Sequence, residues 1–178
     1  MRKLFIVSLV IVVSLFHFSP VFASDAIRVF YAGEPDNNVR VALGLAPEGT
    51  FTFVDNPSQA DVFVLNGDIP QTEVITKRLN EGAGLVLIFG ETISQEQVSA
   101  ILQFPVKLTK ETDAISLTGI QGLDDPLFKE IIWNGAPQVR ERFDVLTPVS
   151  AIQPLVTGYE TGEWILWSAR GGKTFIFN

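Results

Sequence analysis

Residues 82–92, Gly-Ala-Gly-Leu-Val-Leu-Ile-Phe-Gly-Glu-Thr, run through five consecutive apolar residues into a glycine turn. A tight turn at the carboxyl end of a buried strand is a place where hydrolases carry a nucleophile. Here the turn offers Glu91 and Thr92, and what they can do depends on the rest of the chain. The 178 residues include no cysteine and a single histidine, His17. His17 lies in an amino-terminal stretch that reads as an export leader, so the exported remainder has neither imidazole nor thiol. Ser–His–Asp and Cys–His machinery need an imidazole to move a proton near neutral pH, and zinc sites are built from the same side chains. Carboxylate chemistry, a Ser–Lys pair, or a carboxylate cage for calcium or magnesium remains open. None of these has a signature here: the chain has no EF-hand loop, no phosphate-cradling G-x-x-x-x-G-K-[ST] and no G-x-G-x-x-G. The reading therefore assigns no catalytic residue, no metal ligand and no cofactor.

A candidate site still follows from geometry. In open parallel sheets, ligands bind beyond the carboxyl ends of the strands, where the strand order switches. Residues just after the first, third and fourth expected strands would meet there: Glu34 and Asn37, Asn66 and Asp68, Glu91 and Thr92. They form a rim suited to a polar ligand or a cation. The plainer reading of the turn is that Gly90 permits a sharp bend and Glu91 is solvated. Other features also have two readings. Asp124-Asp125-Pro126 could be a metal site, but a capping aspartate with proline in the first helical turn accounts for all three residues. Arg140 and Arg142, flanking Glu141, could receive an anion or form salt bridges on an acidic surface. Trp164 and Trp167 stand three apart on an expected strand, which would turn them to opposite sides and exclude one flat carbohydrate platform. Trp133 joins them as core or sheet-edge packing.

The leader itself has three parts. Met1-Arg2-Lys3 is the basic start, Leu4–Phe16 is a run of apolar residues and serines, and Val21-Phe22-Ala23 fits a cleavage site before Ser24. An uncleaved anchor is the alternative, although the run falls short of the ~20 apolar residues that span a bilayer. Residues 1–23 are thus expected to be a signal peptide and 24–178 a single domain in the periplasm, at the cell surface or secreted. The chain carries a net charge of −7; loss of Arg2 and Lys3 leaves 11 basic against 20 acidic residues, or −9. Such a surface repels nucleic-acid phosphates and anionic lipid. Membrane association would come only through an uncleaved leader or a further carboxyl-terminal segment.

Past the leader, strands of about five residues alternate with helices of about ten. Ile27–Tyr31, Phe51–Val54, Val62–Leu65 and Leu85–Phe89 read as strands. Val39–Leu45 reads as a short helix, Thr72 to about Glu81 as a helix stopped by Gly82, and Ser94 as the cap of a helix through Leu102. Strands two and three have no helix between them. "VFVLN" and "GLVLIF" are apolar nearly throughout, as burial on both faces requires. The expected fold class is α/β, a mainly parallel flavodoxin-like sheet with helices on both faces and an irregular, β-rich second half. In that half, Val106–Thr109 and Ile115–Thr118 suggest a hairpin around Lys110–Asp113. Ile152–Thr157 and Trp164–Ala169 read as strands joined by a turn at Tyr159–Glu163, with Pro154 demoting the first to a sheet edge. Thr174–Phe177 reads as a last strand, within which the sequence stops; the expectation is a fragment of a longer, envelope-associated protein.

The order of elements, "ADVFVLNGDIP", "GAGLVLIFG" and "WNGAPQVRERF" together resemble a class I glutamine amidotransferase-like domain over residues 26–178. The resemblance is nearest to the non-catalytic versions in exported or membrane-attached bacterial proteins. Catalytic relatives carry a cysteine at the turn after the strand matched by Leu85–Phe89, with a downstream His and Glu. This chain has Gly90, Glu91 and Thr92 there and no later histidine. The resemblance implies the fold and no glutaminase activity. The function expected is a non-enzymatic extracytoplasmic domain that binds a protein or a small polar ligand. The alternative is a carboxylate- or metal-dependent hydrolase with its site at the carboxyl ends of the parallel strands.

Overall fold

The computed structural model describes residues 26–33, 38–119, 138–147, 150, 152–159 and 161–178. The leader, Glu34 and Asn37, the Asp124-Asp125-Pro126 helix start and Trp133 lie outside these residues. Ten strands are described: β1 Ile27–Ala32, β2 Phe51–Phe53, β3 Val62–Asn66, β4 Gly84–Ile88, β5 Lys107–Glu111, β6 Leu117–Gly119, β7 Arg142–Leu146, β8 Ile152–Gly158, β9 Trp164–Ala169 and β10 Thr174–Phe177. Three α-helices accompany them: α1 Asn38–Gly44, α2 Thr72–Asn80 and α3 Gln95–Leu102. None is long and apolar enough to cross a membrane.

Eight strands form one sheet in the order β2-β1-β3-β4-β10-β9-β8-β6. The β2-β1-β3-β4-β10 half is parallel, and β10, β9, β8 and β6 pair antiparallel. The parallel half has the strand order of flavodoxin-like folds, with its switch point between β1 and β3. Its register aligns Phe30 with Phe63, Phe63 with Leu85, and Leu87 with Ile176. These residues share one face, where Ile75 and Leu79 of α2 and Val98, Ile101 and Leu102 of α3 bury them. Each such side chain contributes about 1.5–3 kcal/mol of burial. On the opposite face, Arg40 of α1 stacks on Tyr31, its guanidinium carbon 5.7 Å from the ring centroid. The α/β class, the mainly parallel sheet and helices on both faces are as the sequence predicts.

Local chemistry fixes the helix ends. Gly82, at φ 107°, lets Ala83 N–H reach Arg78 O and Gly82 N–H reach Leu79 O, a Schellman stop for α2. Ser94 caps α3 in a reciprocal capping box with Gln97. Between β2 and β3 there is only a 3-10 turn, Pro57–Gln59, capped by Asn56.

The second half departs from expectation in three ways. The Val106–Thr118 hairpin does not form. β5 instead pairs antiparallel with β7, more than 30 residues on, and β6 pairs with β8. Pro154 does not put β8 at the edge, because β6 lies outside it. β6 pairs only Val156, Thr157 and Gly158, so the proline sits beyond that ladder and beside a bulge. Trp164 and Trp167 lie on the same side of β9, ring centroids 6.3 Å apart, both packed in the main core. Two register shifts explain this. The β8–β9 pairing skips Leu155 on one strand and Ile165 on the other. Each extra residue reverses the alternation, so Leu155 and Val156, and likewise Ile165 and Leu166, share the second core on the other face.

Candidate functional site

The carboxyl ends of β1, β3 and β4 lie side by side, and the turns that leave them touch through their main chains. At the β1–β3 switch point, a Cβ on Gly33 would lie 2.7 Å from Asn66 O, and Gly33 itself holds φ 140°. The Asn66 amide donates to the Tyr31 hydroxyl at 3.3 Å, closing the end of that crevice. At the next gap, a Cβ on Gly90 would lie 2.7 Å from Gly67 Cα. Gly67 N–H donates to Ile88 O at 2.9 Å, and the Thr92 hydroxyl donates to Gly67 O. Gly90 is therefore demanded by a backbone neighbour, not by its own dihedral angles.

The predicted rim assembles in part. The turns carrying Asn66 and Asp68 and those carrying Glu91 and Thr92 come together through the Gly67 contacts. Asn66 is half-buried, whereas Asp68, Glu91 and Thr92 are exposed. Glu34 and Asn37 lie outside the described residues. The Glu91 side chain, 78% exposed, points to Lys110 with Oε1 3.6 Å from Nζ. Among the described residues, no group of three or more His, Cys, Asp or Glu could hold a metal ion.

Beside this turn lies a pocket of about 100 Å³ that the sequence does not reveal, walled by Phe89 and Gly90 on one side and the β5–β7 ribbon on the other. Phe89 and Phe143 meet edge-to-face at 5.7 Å. Lys110 stands between Glu91 and Glu141, the second at 3.7 Å. Arg142 is fully committed: Nε donates to Glu163, Nη1 to Asp113 O at 2.6 Å and Nη2 to Asp113 Oδ1 at 3.1 Å. Its side chain is 1% exposed, and the bond to Glu163, then those to Asp113, holds its proton more tightly than usual. Of the two readings of the arginines, Arg142 follows salt bridging, but in the interior. The Asn178 amide stitches β7 to β9, accepting from Phe143 N–H at 2.6 Å and donating to Trp164 O at 3.0 Å. This space is large enough to admit water. It is well below the ~300–1,000 Å³ of small-molecule sites. A roomier cleft of about 310 Å³ lies apart from the strand ends, lined by Asp113, Ser116, Gln138, Tyr159 and Thr161 among others.

No protein-family description matches the sequence, and no curated protein does. Solved structures do resemble the fold. A putative GMP synthase component from Thermoplasma acidophilum superposes with a TM-score of 0.55 at 10% identity, over 85% of this chain and 82% of that one. A protein designated SMU.1228c superposes with the same TM-score and identity, over 85% of this chain and 76% of its own. These likenesses support the glutamine amidotransferase-like fold expected from the sequence, and at this identity they carry the fold alone.

Proposed function

We propose that the protein is a non-enzymatic, exported module of the cell envelope that binds a protein partner through the turns at the carboxyl ends of its parallel strands. The observation that carries this reading is the turn after β4. Gly67 and Gly90 are in main-chain contact there, and Glu91 reaches outward to Lys110. No histidine or cysteine in residues 24–178 can activate a nucleophile. The adjoining space of about 100 Å³ is too small for most metabolites, which favours a macromolecular partner over a small polar ligand. Asp68, Glu91 and Thr92 then act as exposed contact residues.

The test has two parts. The purified protein is incubated with glutamine and ammonia release is followed; none is expected, and turnover above a heat-killed control overturns the reading. Melting temperature is then measured with calcium or magnesium. A specific, saturable rise that is lost in Asp68→Asn or Glu91→Gln would replace the reading with a carboxylate–metal site. Export is tested by amino-terminal sequencing of the mature protein, which should start at Ser24.

A further inference from the structure

We propose that the β2 edge is a self-pairing surface on which two copies of this chain join into one continuous sheet about a two-fold axis at Thr52. β2 is the outermost strand of the described sheet and pairs only with β1. Ile27 N–H donates to Thr50 O, and Val54 N–H donates to Val29 O. Backbone groups alternate along a strand, so Thr52 also faces β1 while Phe51 and Phe53 turn their N–H and C=O groups outward. An antiparallel copy centred on Thr52 sets Phe51 opposite the second copy's Phe53, and the reverse. Each pair exchanges two hydrogen bonds, four in all, and Thr52 meets its own copy at the non-hydrogen-bonded centre. The side chains match as well, because aromatic pairs and Thr–Thr pairs are favourable cross-strand neighbours.

Nothing in the strand guards against this pairing. Thr50–Val54 has no charge and no proline, the usual protections of an edge. On the face carrying Phe53, the surface continues in apolar residues: Ile27 is 41% exposed, Phe53 40%, Val41 55% and Leu45 81%. α1 buries none of its residues, and its Arg40 stacks on Phe53 at 5.5 Å. In the two-fold arrangement both α1 helices lie on the same side of the joined sheet, beside the axis. Taking only the exposed fractions of these four side chains, each roughly 200 Å² in full, covering them removes on the order of 400 Å² of apolar surface per copy. A standard interface takes about 800 Å² per partner. An interface of this size makes a weak dimer. Charge sets its salt dependence. The exposed Glu48 and Asp55 bracket the strand, and the pairing brings Asp55 toward the second copy's Glu48. Added salt screens this repulsion and strengthens the dimer.

Sedimentation velocity of the protein up to roughly 300 μM is expected to show a monomer–dimer equilibrium that shifts toward dimer with salt. Thr52→Lys, which sets two ammonium groups face to face, should abolish it without lowering the melting temperature. Thr52→Cys supplies an independent readout in a chain without cysteine. Opposed residues at a non-hydrogen-bonded pair are ~4.5 Å apart at Cα, within disulfide reach. Mild oxidation should therefore cross-link it more than about tenfold faster than Lys77→Cys on the exposed side of α2. A protein that stays monomeric, a dimer indifferent to Thr52→Lys, or equal cross-linking of the two cysteine variants overturns the proposal.

Discussion

Replacing Arg142 by methionine tests whether the second half is held by its buried ion cluster. The substitution keeps the volume of the side chain and removes its charge. Glu163, whose side chain is 22% exposed, then loses its ion-pair partner in a largely buried site, and the Asp113 carbonyl loses its donor. Removing one partner of a buried pair costs about 3–5 kcal/mol. The lower end applies, because the Asp113 carboxylate, 68% exposed, simply rehydrates. At ~2–4 °C per kcal/mol for a chain of this size, a loss of about 3 kcal/mol lowers the Tm by about 6–12 °C. Glu163→Gln alone should cost less, about 1.5 kcal/mol, since the guanidinium keeps both bonds to Asp113 and loses only the charge opposite Nε. The double variant should recover at least ~1.5 kcal/mol relative to the sum of the singles, because contacting charges couple. Urea unfolding of the four proteins measures all three quantities. A single-variant cost under about 1 kcal/mol, or strict additivity, would refute the argument that this cluster clamps the β5–β7 ribbon to the β8–β9 hairpin.

Further outcomes follow from individual contacts. Gly90→Ala should cost about 1–3 kcal/mol in urea melts, because its Cβ meets backbone that cannot rotate away; Gly44→Ala, with nothing within 4 Å, should be neutral or stabilising. The Asp61 carboxyl is held at about 2 against its usual 3.8, first by the Arg28 side-chain hydrogen bond. A depressed carboxylate contributes its full share above pH 3.8 and loses it as the pH falls through about 2. With both side chains 40% or more exposed, that share is no more than about 1 kcal/mol. An NMR titration of Asp61 should find its midpoint near 2, and a midpoint at the ordinary value would remove the Arg28 pair from solution. Trp167→Ala should cost about 3–5 kcal/mol. Trp167→Phe should cost far less, since the indole N–H it removes is buried without a partner among the described residues.

The parallel half was legible because its signals are local. Unbroken apolar runs marked β3 and β4, and Gly82 and Ser94 marked helix ends. The antiparallel half was not. β5 finds its partner in β7 and β6 in β8, across chain segments whose spacing carries no turn signal. The paired bulges at Leu155 and Ile165 also cancel the period-2 rule on which the tryptophan argument rested. The site divides in the same way. Asn66, Asp68, Glu91 and Thr92 followed from the rule about strand ends. The sequence also offers Arg142, beside Glu141, as an anion-binding or salt-bridging residue, but neither Lys110 nor the partners Glu163 and Asp113 could be read there, because those contacts span 19 to 31 residues.

That division bears on what the strand ends can do. A ligand crevice at a switch point needs neighbouring turns to diverge, leaving room between parallel strands ~4.8 Å apart. Here they converge. At two successive gaps the space a crevice would occupy is filled by main chain, Gly33 against Asn66 and Gly67 against Gly90, closer than any side chain would allow. The glycines therefore close these two gaps. Asp68, Glu91 and Thr92 are exposed beyond these gaps, and Glu91 borders the small pocket that Lys110 and Glu141 also line. On the reading proposed above, these exposed carboxylates serve as contact residues and not as an acid–base pair. They can still meet a partner's cationic side chains, as Glu91 already meets Lys110.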